Sequence, residues 1–377
     1  MKIIIAPDKF KGSLTSAEVC HAIEKGIKLA DKNINVLSFP MADGGDGFAT
    51  VMQRYTQTET VYCATVDPLH RPINASYQWS AATKTAVIEM AAASGLVLLN
   101  EQDRNPLKTS SYGTGLMVKD AISKGAAKII LGIGGSATND AGTGILSALG
   151  FIFRDKNDIA IPASGENLLL IEKIIPPGVL PAVHFEIACD VDNVLYGTLG
   201  AAYTYAPQKG ATPQQVTLLD KGLQHFAAIT ALQTNVHIAD KKGAGAAGGI
   251  AAGILPFLHA VLKQGTQIVI NASRIKNSLP GTDLIITGEG KIDAQSNDGK
   301  LISSITALAK QQHVPVIGLC GSLLLTDLEI KKLGLNAAYA IMNEALDLAY
   351  SIKNAADLLQ KETAKMITAF IENRKYA

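Results

Sequence analysis

The chain has 377 residues, of which 47% are hydrophobic and 18% charged, with a formal net charge of +1. That length exceeds one typical core and fits two domains, and the composition lies far from the disordered regime. A balanced charge, an aromatic content of only 5% and no basic stripe interleaved with aromatics argue against nucleic acid as a partner.

Residues 2–6 read as a strand, followed by a loop that carries Asp8, Lys9, Lys11 and Ser13. A helix is expected over 16–30, with Thr15 and Glu18 forming a capping box and Val19, Ala22, Ile23 and Ile27 keeping the helical period. A second strand over 35–39 ends at the acidic turn Asp43-Gly44-Gly45-Asp46-Gly47. Such a β-α-β unit places polar loops at the C-terminal strand ends, where open α/β sheets bind ligands. Residues 61–79 alternate as antiparallel strands do, and a helix is expected over 113–124.

The apolar run 128–131 reads as a buried strand that feeds the glycine-rich stretch 132–144 and then a helix over 145–149. Strand, glycine loop and helix start present bare backbone N–H groups to an anion. Here Gly134, Gly135, Ser136, Thr138, Asn139 and Asp140 add hydroxyls, an amide and a carboxylate. A strand over 185–188 leads to Cys189-Asp190-Val191-Asp192-Asn193, where Asp190 is a candidate base or metal ligand.

Residues 243–262 lack Asp, Glu, Lys and Arg, but they are rich in Gly and Ala. They read as a buried glycine-rich turn leading into a packed helix, not as a membrane span. The literal GxGxxG at 243–248 follows no clear strand, which leaves a dinucleotide site weakly supported. A strand over 283–287 precedes a polar loop over 288–300 holding Glu289, Lys291, Asp293, Gln295, Ser296, Asp298 and Lys300. A helix over 301–312, a strand over 314–319 and a helical segment over 346–373 complete the chain. Gly299-Lys300 is not a P-loop tail, because Leu301 stands where Ser or Thr must reach Mg²⁺.

These elements predict an α/β fold. A Rossmann-like parallel-sheet domain is formed by both chain ends, residues 1–61 and 265–377, and a second α/β domain, 62–264, is inserted. The cleft between domains is the default ligand site. Cys20, Cys63, Cys189 and Cys320 show no CxxC, and no His pair has ligand spacing. Reduced thiols in a cytoplasmic protein are therefore expected, not a zinc site. The first apolar run is too short for a signal peptide. No GxSxG elbow or Ser/His/Asp context is present. Acids, lysines and glycine loops are what phosphoryl transfer requires, so the residues point to a small-molecule kinase outside the P-loop class.

Several motifs then carry a resemblance. The opening Ile5-Ala6-Pro7-Asp8-Lys9-Phe10-Lys11-Gly12-Ser13-Leu14, the Ala42-Asp43-Gly44-Gly45 turn and Gly134-Gly135-Ser136-Ala137-Thr138-Asn139-Asp140 resemble the bacterial type 1 glycerate kinases. So do Cys189-Asp190-Val191, Ala206-Pro207-Gln208-Lys209-Gly210-Ala211, Gly245-Ala246-Ala247-Gly248-Gly249 and Thr287-Gly288-Glu289-Gly290 with Asp293. The resemblance implies transfer of the ATP γ-phosphoryl group to D-glycerate, usually giving 2-phosphoglycerate, with Mg²⁺. On it, Lys9 and Lys11 are placed on anionic groups and Asp190 on the attacking hydroxyl. Asp8, Ser13, Gly134, Gly135, Ser136, Thr138, Asn139 and Lys291 are placed on substrate or phosphate. Glu289 and Asp293, with Asp43 and Asp46 in reserve, are placed on Mg²⁺.

The chain departs from the family pattern at Asp46 and Phe48, where Glu and Thr are usual, and at Val194, where Pro is usual. Alternatives are 3-phosphorylation, a related hydroxy acid, a non-catalytic nucleotide or metabolite sensor and, on the weak GxGxxG, an NAD-dependent enzyme. No membrane or nucleic-acid partner is expected, and self-association stays open.

Overall fold

The computed structural model describes residues 1–180, 182–293, 301–342 and 347–375. In chain order the strands are β1 (Lys2–Pro7), β2 (Asn35–Ser38), β3 (Glu59–Val66), β4 (Pro72–Ser80), β5 (Thr85–Glu89), β6 (Lys128–Gly132) and β7 (Ile152–Arg154). They continue with β8 (Ala160–Ile161), β9 (Lys173–Ile175), β10 (His184–Ala188), β11 (Val261–Lys263), β12 (Leu284–Ile292), β13 (Val316–Leu323) and β14 (Ala337–Ala340). The chain divides into two compact units, Met1–Asp43 with Thr266–Ala377, and Gly44–Gly265.

The smaller unit holds a parallel sheet of order β14-β13-β12-β1-β2. Ile3, Ile4, Ile5, Leu284, Ile285 and Ile286 are fully buried, as continuous apolar runs must be in a sheet covered on both faces. The helix Ser16–Ala30 starts at the Thr15–Glu18 capping box and packs on the helix Ala355–Lys375. Gly26 permits their close approach, since a Cβ there would lie 2.6 Å from that of Thr363. From β1 the chain moves to β2 on one side, and from β12 to β13 and β14 on the other. Strand order thus reverses between β1 and β12, the kind of point at which open α/β sheets place their ligands.

Two expectations are corrected in this unit. β12 continues to Ile292 because β13 supplies ladder partners as far as Ile292↔Leu323, so residues 288–292 are strand and not loop. The last segment is two helices, Leu348–Lys353 and Ala355–Lys375; the Asn354 N–H donates to the Tyr350 carbonyl and ends the first.

The larger unit is built on a sheet of order β11-β10-β6-β5-β4-β3, with β3, β4 and β5 antiparallel and β5, β6, β10 and β11 parallel. One face buries Tyr77, Ile88, Ile129, Leu131, Phe185 and Ile187 with Met117, Ile145 and Phe226. A small antiparallel sheet, β8-β7-β9, carries no clear signal in the sequence. The helix Phe48–Tyr55 packs on β4 and β5, and Glu89 accepts from the Ala49 N–H at 2.6 Å near its start. Residues 44–61 therefore group with this unit, whereas the sequence reading draws the boundary at 61.

Among the described residues no helix is long and apolar enough to cross a membrane. The charge-free stretch forms the helix Ala246–Phe257, entered through Ala247, Gly248 and Gly249 at φ 53°, 73° and 86°.

Candidate functional site

In the smaller unit the polar residues gather at the reversal of strand order. Pro7 pairs with Gly288, which places Asp8 and Glu289 just beyond the paired ends, and the Asp8 N–H donates to the Gly288 carbonyl at 2.8 Å. The Met41 N–H donates to the Pro7 carbonyl at 2.9 Å and brings Asp43 to the same end. Lys9 Nζ lies 3.4 Å from Asp43 Oδ1 and 3.9 Å from Asp8 Oδ1. Burial pushes the Asp8 carboxyl up to about 7, the charges of Asp43 and Glu289 push the same way, and Lys9 opposes them.

Asp8 and Asp43 flank the Lys9 ammonium and the Glu289 charge acts on Asp8; carboxylate oxygens are the donor type that Mg²⁺ takes. Among the described residues no group of three or more His, Cys, Asp or Glu side chains forms a ready metal centre. Lys291 pairs with Asp293 at 2.9 Å, so these two neutralise each other. Lys11 is exposed, and Ser13 Oγ donates to the Ile352 carbonyl at 3.1 Å. Gln295, Ser296, Asp298 and Lys300 lie outside the described residues. Asp46 falls in the larger unit, where its Oδ1 fills the space a Cβ on Gly135 would need.

In the larger unit two loops leave adjacent parallel strands side by side, because Gly132 of β6 pairs with Ala188 of β10. The first is the glycine loop. A side chain at Gly134 would collide with Gly45 Cα, which fixes glycine at that position. Thr138 and Asn139 are fully buried, and Thr138 Oγ1, Asn139 Nδ2 and Asn139 Oδ1 have no hydrogen-bond partner among the described residues. Buried polar atoms without partners are costly, and a site that receives a polar ligand is where they occur.

Asp140 behaves differently. It accepts from Ser111 N–H and Oγ at 2.8 Å each and from the Gly142 and Gly144 N–H groups at 3.2 Å, so it frames the loop from within. Burial still raises its carboxyl, against those hydrogen bonds.

Lys209, 2% exposed, pins the loop from the other side. Its Nζ donates to Ser136 Oγ at 2.8 Å and to the Thr138 carbonyl at 2.7 Å. Burial pushes its pKa down to about 7, with Asp140 opposing. Thr109 Oγ1 holds the Ala137 carbonyl at 2.8 Å. The stretch bearing GxGxxG is a clamp on the same loop: the Ala141 N–H donates to the Gly248 carbonyl at 3.1 Å. A Cβ on Gly248 would strike the Thr138 carbonyl, and φ there is +73°. Gly248→Ala therefore lowers stability by about 1–3 kcal/mol through backbone strain and displaced packing; urea unfolding of the two proteins measures it.

The second loop carries Asp190, whose Oδ1 is shielded from solvent. Tyr205 Oη donates to Asn193 Oδ1 at 2.5 Å, and Asn193 Nδ2 donates to the Leu199 carbonyl at 2.9 Å. The Gly245 N–H donates to the Asn193 carbonyl at 3.0 Å, and the Val194 carbonyl abuts Gly245. That contact holds the turn where the family pattern would place proline. Sequence reading missed Lys209, Thr109 and Ser111 as partners of the glycine loop. The hydroxyl run Thr109-Ser110-Ser111 and the Lys209-Gly210 pair are the signals available, but neither follows a strand.

Comparison with known proteins adds four findings. The model of the glycerate kinase family matches residues 3–372. The chain is 43% identical over 357 residues to a glycerate kinase of Haemophilus influenzae, covering 94% of each chain. It is 41% identical over 360 residues to the glycerate 2-kinase of Escherichia coli, covering 95% of this chain and 94% of that one. A crystal structure assigned to glycerate kinase 2 of Salmonella typhimurium superposes with a TM-score of 0.84 at 39% identity, over 100% of this chain and 99% of that one.

Proposed function

Because the chain belongs to the glycerate kinase family, we propose that it transfers the γ-phosphoryl group of ATP to the 2-hydroxyl of D-glycerate with Mg²⁺. The observation that carries the reading is the buried, unpartnered set Thr138 Oγ1, Asn139 Nδ2 and Asn139 Oδ1 on a strand–glycine loop–helix turn. A polyhydroxy acid or a phosphate offers such groups the acceptors and donors they lack.

Asp190, on the neighbouring strand end, takes the proton of the attacking hydroxyl; the Tyr205–Asn193 bond keeps its loop in place. Lys9 neutralises an anionic group of the substrates, with Lys11 available beside it. Asp43 and Glu289, next to Asp8, would hold Mg²⁺, which supplies positive charge to the phosphate oxygens. The same role for Asp293 requires release from Lys291. The four free cysteines support a cytoplasmic setting, where ATP is available.

Purified protein is mixed with ATP, Mg²⁺ and D-glycerate and coupled through enolase without phosphoglycerate mutase, then repeated with excess EDTA. The expected result is signal with Mg²⁺ and none when the kinase step is run in EDTA, the kinase filtered out and Mg²⁺ restored for enolase, which needs that metal and accepts the 2-phosphate alone. ADP release without enolase signal would make the product the 3-phosphate. Neither signal would leave another hydroxy acid or a sensor.

A further inference from the structure

Arg104 stands out among the side chains that the account above leaves unused. It follows Asp103 directly, yet Asp103 gives its carboxylate to Arg71 at 3.0 Å, and Arg71 also takes Asp67. Arg154 is likewise paired, with Asp158. Arg104 has no ion pair among the described residues, and its Nε is buried without a hydrogen-bond acceptor. A guanidinium cannot shed its proton, and a buried N–H of it without an acceptor is a place where an anionic ligand adds stability.

Its position says which anion. The Arg104 carbonyl and Cβ lie against Gly210, where any side chain would collide, and Gly210 follows the Lys209 that pins Ser136 and Thr138. Five residues further on, Thr109 holds the Ala137 carbonyl, and Ser111 holds Asp140. The helix Ala201–Tyr205 joins this corner to the second loop through the Tyr205–Asn193 bond. Arg104 thus belongs to the frame shared by the glycine loop and the Asp190 loop.

We propose that Arg104 binds the carboxylate of the hydroxy-acid substrate, through its planar fork of N–H groups, and so selects acids over neutral polyols. The inference rests on the kinase reading above. A carboxylate accepts both parallel N–H bonds of one guanidinium, a geometry that the compact ammonium of lysine cannot reproduce.

The test compares wild type, R104Q and R104K by steady-state kinetics for each substrate and by calorimetric titration with D-glycerate alone. The expected result is a rise of about 30-fold or more in KM for D-glycerate in R104Q, the loss typical of truncating one partner of a buried charge pair. KM for ATP stays within about twofold, the calorimetric affinity for D-glycerate falls in parallel, and R104K recovers only part of it. An unchanged unfolding midpoint in R104Q accompanies this result. A rise in KM for ATP with D-glycerate unaffected would assign the guanidinium to a phosphate and overturn the proposal. Unchanged constants for both substrates would overturn it as well, while leaving the kinase reading intact. A wild type that neither binds nor phosphorylates D-glycerate would overturn both.

Discussion

Asp190→Asn is expected to lower kcat by about 10²–10⁴-fold, the range that a positioned general base contributes. The amide is nearly isosteric with the carboxylate but cannot take a proton from a hydroxyl. The loop has supports besides that carboxylate: Tyr205 holds Asn193, and Gly245 meets Asn193 and Val194 through backbone. The fold and the unfolding midpoint should therefore be unchanged, and KM for either substrate should move little compared with kcat. Steady-state kinetics with an ADP readout decides it. Turnover near that of wild type would remove Asp190 from the proton transfer and move attention to Asp8, a buried carboxyl at the strand ends of the smaller unit.

Lys209→Met is the second large effect. The substitution keeps the apolar stem but leaves Ser136 Oγ and the Thr138 carbonyl without their donor, each loss costing about 1–3 kcal/mol where the group stays buried. The loop then no longer presents Thr138 and Asn139 in a fixed geometry, and kcat/KM falls by about 10–100-fold, a loss of transition-state stabilisation through position rather than contact.

A pH signature separates this role from mere packing. The folded-state pKa of Lys209 lies near 7, below its ordinary 10.5. Below pH 7 both states hold the proton, and the folded state carries a buried charge. Between 7 and 10.5 the unfolded chain holds a proton that the folded chain lacks, so stability rises with pH across that window. Wild type should show that rise from pH 7 to 9 in chemical denaturation, and K209M should lack it. Equal slopes for the two proteins would contradict the assignment.

Much of the architecture was legible in the sequence, and the reasons are local. The Thr15–Glu18 box and the period of Val19, Ile23 and Ile27 specify a helix whatever it packs against. Alternation over 61–79 specifies an antiparallel pair, because a half-buried sheet face has a period of two residues. The family, too, was legible, since its motifs are contiguous stretches. Where a signal depended on a distant partner, reading stopped. β12 outruns its loop-like Gly288-Glu289-Gly290 because β13 lies beside it, and residues 44–61 join the larger unit because β4 and β5 accept their helix.

Site chemistry divides along the same line. The sequence by itself supplied the candidates for binding an anion or a cation, namely the glycine loop, the acids at strand ends and the lysines of the first loop. Only the tertiary structure decided how they are used. Asp140 turns inward to accept from Ser111, Ser13 is committed to Ile352, Lys291 is spent on Asp293, and Asp46 sits beside Gly135. Lys209, 71 and 73 residues from the loop positions it holds, and Arg104, 106 residues from the Gly210 it packs against, acquire their meaning from contacts that no local pattern encodes. Backbone propensity and side-chain periodicity act over a few residues, whereas desolvation and charge pairing act on whatever the folded chain brings within a few ångströms.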